Sequence, residues 1–246
     1  MEAKGQNERI GNKYRVLRSF KFVNGILYYT ESEEDGFTIT RYIHAMDIRA
    51  FRNQVHEEQL YTRHKTVFCP LKEVFIEEGI LYQVFEKIEG SLLAYQLMKS
   101  LPLRMADMIW VSHGITRNLL ELYSEKQSAL IHPQNIFVTP NREIYFLHGG
   151  PIHAFPRGYS IGKRDEESIL KMINSSDAYT VGVMMYWMVT GTNPLMSGLQ
   201  TPKITDYVPD CPPVLADMIS RAISFDTNKR PSIEEINRVL GQMLSK

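Results

Sequence analysis

Bulky and polar residues alternate through the first third of the chain. Gly25-Ile-Leu-Tyr-Tyr-Thr30 is rich in β-formers, and Phe37-Thr-Ile-Thr-Arg-Tyr-Ile43 alternates with period 2. The charged run Glu31-Ser-Glu-Glu-Asp-Gly36 separates them. The pattern predicts a hairpin whose connection is that whole run. A polar, helix-prone stretch follows over about 47–65. Two further strands are expected at Lys72–Ile76 and Leu81–Ile88, joined through Glu77-Glu78-Gly79.

After Gly90 the period changes. Met108, Val111, Ile115, Leu119 and Leu122 recur every three or four residues, the mark of one face of an amphipathic helix. Ile136-Phe-Val138 and Ile144-Tyr-Phe146 flank Pro140-Asn141-Arg142 and predict a short hairpin. Ala178–Val189 is apolar nearly all round, which predicts a buried central helix. Leu215, Met218, Ile219 and Ala222 mark another helix. Ser232 and Glu235, just after Pro231, form a capping box that opens a last helix through Ile236, Leu240 and Met243. Strands with one helix, then a mainly helical body, predict an α+β chain in two lobes: residues 1–88 β-rich, residues 89–246 mainly helical.

Composition narrows the function. Lys plus Arg is 28 and Asp plus Glu is 28. Neither lobe carries the basic excess expected of a nucleic-acid binder, so no nucleic-acid partner is expected. The basic start (Lys4, Arg9, Lys13, Arg15, Arg18, Lys21) has no apolar h-region and reads as a solvated tail and first strand. The longest apolar run, Tyr179–Val189, is too short to span a bilayer. Cys69 and Cys211 lie far apart and outside any C-x-x-C pair, which argues against a disulfide scaffold and fits a reducing, cytoplasmic compartment.

Four strings carry a family resemblance. Leu81-Tyr-Gln-Val-Phe-Glu-Lys-Ile-Glu-Gly90 looks like a fifth strand and hinge. Ile131-His-Pro-Gln-Asn-Ile136 looks like the L-K-P-x-N-I end of a catalytic loop. Ser176-Asp-Ala-Tyr-Thr-Val-Gly182, with Thr190-Gly191, looks like the S-D-x-Y-S-x-G helix and its exit. Asp226-Thr-Asn-Lys-Arg-Pro231 looks like the D-P-x-x-R-P segment. In this order they resemble the protein kinases, most closely the cytosolic Ser/Thr kinase domains of bacteria, from about Tyr14 to Leu240. The resemblance implies a two-lobed kinase-like fold.

It also implies which side chains should do chemistry. Phosphoryl transfer needs a Gly-rich loop over the phosphates, a Lys to hold them, metal ligands and an Asp at the attacking hydroxyl. In the loop region only Gly25 remains of three glycines. With Thr38-Ile-Thr-Arg41 set on V-A-I-K, Arg41 stands for the Lys. Its helix partner is Gln54, or Glu57 or Glu58 in a shifted alignment. Counting back from Asn135, Leu130 stands for the catalytic Asp and His132 for the loop Lys. His148-Gly149-Gly150 stands for D-F-G, and Mg²⁺ prefers carboxylates to an imidazole. Leu27, Ile39, Phe85 and Phe137 fall on adenine-pocket positions and would crowd them. Asp177 and Arg230 match scaffold positions. Asp177 would bond the loop backbone, and Arg230 would pair with Asp165, Glu166 or Glu167. Ser128 and Gly149 replace the stacked His and Phe of the switching spine.

The reading these substitutions favour is a pseudokinase, a scaffold or regulatory module that binds a protein partner and has no catalytic residue. Tyr28, Tyr29 and Tyr42 are one candidate surface. No metal or cofactor is expected, although the resemblance leaves Mg²⁺-independent ATP binding open. The alternative is a nucleotide-binding enzyme with rewired chemistry, using His132, His148 and His153 with Asn135 and Arg41. A zinc site on those three histidines matches no helical H-x-x-x-H spacing.

Overall fold

The computed structural model describes residues 2–22, 25–50, 63–151, 166–197 and 201–245. The described residues pack as two compact units, 2–89 with 149–151, and 90–148 with 166–245.

The first unit is an antiparallel sheet of six strands: β1 (Arg9–Ile10), β2 (Tyr14–Phe22), β3 (Gly25–Glu34), β4 (Phe37–Asp47), β5 (Leu71–Glu77) and β6 (Ile80–Phe85), in the order β1-β2-β3-β4-β6-β5. The β3–β4 hairpin is longer and tighter than the charge pattern predicts. Glu34 faces Phe37, and only Asp35 and Gly36 turn, both at positive φ (50° and 80°). Asp-Gly is the sequence best suited to such a two-residue turn, and the acidic residues before it belong to the strand.

The sheet curls until its edges meet. The Gly11 amide donates to Glu77 Oε2 (3.3 Å), and Lys13 pairs with Glu73 (3.2 Å). Inside the curl lie Ile10, Tyr14, Val16, Ile26, Tyr28, Ile43, Ala45, Tyr82 and Val84, with Phe75 and Ile80 packed on them. Tyr28 is therefore core, and Tyr29 and Tyr42 pack on each other (centroids 5.2 Å apart). The basic start enters the sheet: β1 joins it, Lys13 takes Glu73 and Arg15 takes Glu31. Of the helix expected over 47–65, residues Ile48–Ala50 form a 3-10 turn, and 51–62 lie outside the described residues.

The second unit holds β7 (Ser91–Leu92), α1 (Leu93–Ser100), α2 (Met105–Ser124), β8 (Gln127–Ala129), β9 (Ile136–Val138), β10 (Ile144–Phe146), α3 (Glu166–Thr190), α4 (Ile204–Tyr207), α5 (Pro213–Ala222) and α6 (Ile233–Leu244). The strand β11 (Gly149–Pro151) belongs to the first unit. The β9–β10 hairpin has the expected bounds, with Phe137 opposite Tyr145. The capping box is present, with Ser232 Oγ accepting from the Glu235 amide at 3.2 Å. The central helix α3 is 25 residues long and starts twelve residues before Ala178. Residues 165–181 contain no Gly or Pro, and Ile169 and Ile173 continue its buried face. Asn118 Nδ2 donates to the Ile144 carbonyl (2.7 Å), fixing α2 to the β9–β10 hairpin.

Candidate functional site

Asn135 and His148 meet in the second unit. Asn135 is fully buried at the end of the loop entering β9, and His148 follows β10. Asn135 Nδ2 donates to the Leu130 carbonyl (2.8 Å) and to the His148 carbonyl (2.8 Å). Its Oδ1 accepts from the His148 amide (2.7 Å). Its own backbone accepts from Leu147 (2.9 Å) and donates to His132 (2.7 Å). The side chain thus ties the Leu130 turn to the strand exit, using both amide hydrogens and one lone pair. As a metal site the pair offers one amide oxygen, already accepting from the His148 amide, and one imidazole, with no carboxylate, a donor set unsuited to Mg²⁺.

The other loop positions are equally occupied. His132 is partly buried, its Nδ1 accepting from the Gln134 amide (3.2 Å), and burial lowers its pKa. Leu130 offers only an aliphatic side chain. Asp177, nearly buried on α3, accepts from the Tyr123 hydroxyl (2.7 Å), joining α2 to α3. Arg230 donates to the carbonyls of Ser224 (2.8 Å) and Ser175 (3.2 Å) and lies over the Tyr179 ring. Of its expected acidic partners, Asp165 and the side chain of Glu166 lie outside the described residues, and Glu167 is exposed. His153, Gln54, Glu57 and Glu58 also lie outside them. Among the described residues no group of three or more His, Cys, Asp or Glu is placed to hold a metal ion.

In the first unit the expected pocket residues do not share a face. Leu27 pairs with His44, His44 with Gln83, and Met46 with Leu81. Alternation puts Leu27, His44, Met46, Gln83 and Phe85 on one side of the sheet. Arg41 pairs with Thr30 and Ile39 with Ser32, on the opposite side, which continues the interior of the curl. Phe137 belongs to the other unit and packs on Gly90, where an added Cβ would stand 2.7 Å from its ring.

Arg41 has another role there. It is 5% exposed and is held by Glu34 (2.7 Å) and more distantly by Glu86 (3.4 Å). Lys72 joins the same Glu34 oxygen at 2.6 Å. The bonds from Arg41, then Lys72, hold the Glu34 carboxyl down at about 2. The retained Gly25 also has a structural reason. At φ +155° its Cα lies so close to β4 that an added Cβ would sit 2.0 Å from the Ala45 carbonyl oxygen.

His44 is buried on the Leu27 face, edge-on to Phe22 (4.7 Å). Burial, with the Arg63 charge acting in the same direction, pushes its pKa down to about 3 from 6.5. Between those values the unfolded imidazole binds a proton that the folded one refuses, so stability falls as pH drops through that window. His44→Gln should therefore remove about 2 kcal/mol of the loss between about pH 7 and about pH 5. Urea unfolding of both proteins at each pH reads the difference, and parallel losses would contradict it.

Curled sheet, hinge, loop hairpin and long central helix together make this a protein kinase-like fold. The crystal structure of the Mycobacterium tuberculosis PknI kinase domain superposes with a TM-score of 0.66 at 16% identity, covering 98% of this chain and 99% of that one. Rat mitogen-activated protein kinase kinase kinase 8 is 24% identical over 190 residues, 66% of this chain and 38% of that protein. This chain therefore matches well under half the length of that curated relative. No protein-family model matches. Among the described residues no helix is long and apolar enough to cross a membrane.

Proposed function

We propose that the chain is a pseudokinase, a kinase-like fold kept as a protein-binding scaffold or regulatory module without phosphoryl transfer. The observation that carries this reading is the Asn135–His148 pair. The one surviving metal-ligand residue spends its amide on Leu130 and His148, and the position that should bring a carboxylate brings His148. The neighbouring Leu130 has no proton-accepting group.

The strand register adds to it. A pocket residue must share the face of Leu27, the roof position. The residue opposite Leu27 is His44, so we set Ile43-His44-Ala45-Met46 on V-A-I-K in place of Thr38-Ile-Thr-Arg41. The displacement is five residues, an odd number, which moves the pattern to the other side of the sheet. On this reading the buried thioether of Met46 replaces the phosphate-holding Lys, and the imidazole of His44 replaces a methyl group. Both related proteins are kinases by name, and their identities of 16% and 24% carry the fold rather than the activity.

Calorimetric titration of ATP into the full chain, with Mg²⁺ and then with EDTA, tests the reading. We expect no Mg²⁺-dependent binding. Affinity lost on chelation would overturn it and make the rewired enzyme the leading account. Binding indifferent to chelation would leave ATP as a structural ligand of a pseudokinase.

A further inference from the structure

Two surface features have no role in the reading above, and their chemistry is complementary. The first is the tip of the β3–β4 hairpin. Phe37 stands 72% exposed beside a two-residue turn, flanked by the exposed carboxylates of Glu33 and Asp35. The turn is held by the pairing of Glu34 with Phe37, so the ring is presented on a rigid support and little freedom is lost if it is buried.

The second is a groove of about 410 Å³ in the second unit, between α5 and the segment entering α4. Its floor is Tyr186, Ile204 and Ile219, all buried. Along its α5 wall Ala216 and Ser220, and just past the helix end Ser224, have small side chains that leave the space open. Phe225, 70% exposed, stands at the groove as an uncovered apolar wall. The lining has two charged residues. Asp217 is paired with Arg221 (2.9 Å), whereas Lys203, exposed on the opposite wall, makes no ion pair among the described residues. The groove therefore suits an aromatic side chain with a carboxylate beside it, within the size range of ordinary binding clefts.

We propose that the chain associates with itself head to tail. The Phe37 ring of one copy enters the α4–α5 groove of the next, and Asp35 or Glu33 meets Lys203. The occupant is a second copy because this chain itself presents the chemistry the groove lacks, an apolar anchor and an anion. The two surfaces differ, so the contact is heterologous. Each copy carries one groove and one hairpin, so reciprocal pairing gives a closed dimer and serial pairing a ring or an open chain. One anchor and one charge pair make a small interface, weaker than the standard ~1,600 Å² class.

Sedimentation velocity of the full chain, from ~10 μM to ~1 mM, reads this directly, since a small transient contact is populated only at high concentration. The average mass should rise above that of the monomer as concentration increases. Phe37→Ser, at an exposed position, should weaken association about 30-fold, as removal of a central anchor does. Ser220→Trp should do the same by filling the groove from the other side. Lys203→Glu should weaken it, and adding Asp35→Lys to that chain should restore it, which a merely structural disturbance would not. A protein that stays monomeric to ~1 mM overturns the proposal. So does association that Phe37→Ser leaves unchanged. Neither result bears on phosphoryl transfer, which the ATP titration tests separately.

Discussion

Arg41→Met is expected to cost about 3 kcal/mol of folding stability, the usual consequence of removing one partner from a buried ion pair. The substitution keeps the aliphatic volume inside the curled sheet and removes only the charge. Glu34, 18% exposed, would lose its 2.7 Å partner and keep Lys72 and the Ser32 hydroxyl. Part of the acid sensitivity should disappear with it. Glu34 has a depressed pKa of about 2 against an ordinary 4.5, so its contribution is complete above 4.5 and is lost as pH falls toward 2. In the variant that slope should flatten, because the carboxyl returns toward its ordinary value. Adding Glu34→Leu should cost much less than it does alone, since the two charges are coupled. Urea unfolding of the four proteins in this cycle measures the coupling. Arg41→Met should leave any ATP heat unchanged at temperatures where the variant is folded. A selective loss of nucleotide affinity with full stability would return Arg41 to the phosphate-holding role.

The Arg41 case shows where the sequence was readable and where it was not. Helices α2 and α6 and the β9–β10 hairpin are legible because their signals are local: a 3.6-residue apolar stripe, a Ser232–Glu235 box, and two apolar triplets around Pro140-Asn141-Arg142. That Asn135, Leu130 and His132 lie close together is local information as well, since they fall within six positions, and Asn135 donates to the Leu130 carbonyl. The face of β4 is not local information. Ile43-His44-Ala45-Met46 breaks the alternation, and only the turn length and the pairing to β3 decide which side chains point inward. Counting the charged run as a six-residue turn hides that Glu33 and Glu34 belong to the strand. The α4–α5 groove was unreadable for a further reason. Its walls come from around 186, 201–205 and 216–225, segments far apart in sequence, and what opens it is the smallness of Ala216, Ser220 and Ser224.

Asn135→Ala is expected to be the most damaging of the substitutions discussed. It leaves three backbone groups, the Leu130 carbonyl and the His148 carbonyl and amide, without their partner at a buried position. At 1–3 kcal/mol for each buried group left unsatisfied, a total of about 4 kcal/mol is a conservative figure. That is a large share of the ~5–15 kcal/mol that holds a domain of this kind together. The alanine variant alone does not separate a staple from a ligand, because both readings predict damage. Asn135→Asp does. A carboxylate is a better oxygen donor for a hard cation than an amide, so a metal-binding Asn135 should tolerate the change and bind Mg²⁺ more tightly. A staple should not tolerate it. The carboxylate can still accept from the His148 amide, but it faces two carbonyl oxygens to which the amide had donated. Near pH 7 it should cost at least as much as alanine. The damage should also ease on acidification relative to the parent protein, since the protonated carboxyl regains one donor and its pKa in this surrounding is raised. Unfolding free energies of the parent, Asn135→Ala and Asn135→Asp at two pH values, with and without Mg²⁺, decide it. An aspartate variant as stable as the parent and stabilised further by Mg²⁺ would mean that Asn135 is a ligand, and the pseudokinase reading would lose its main support.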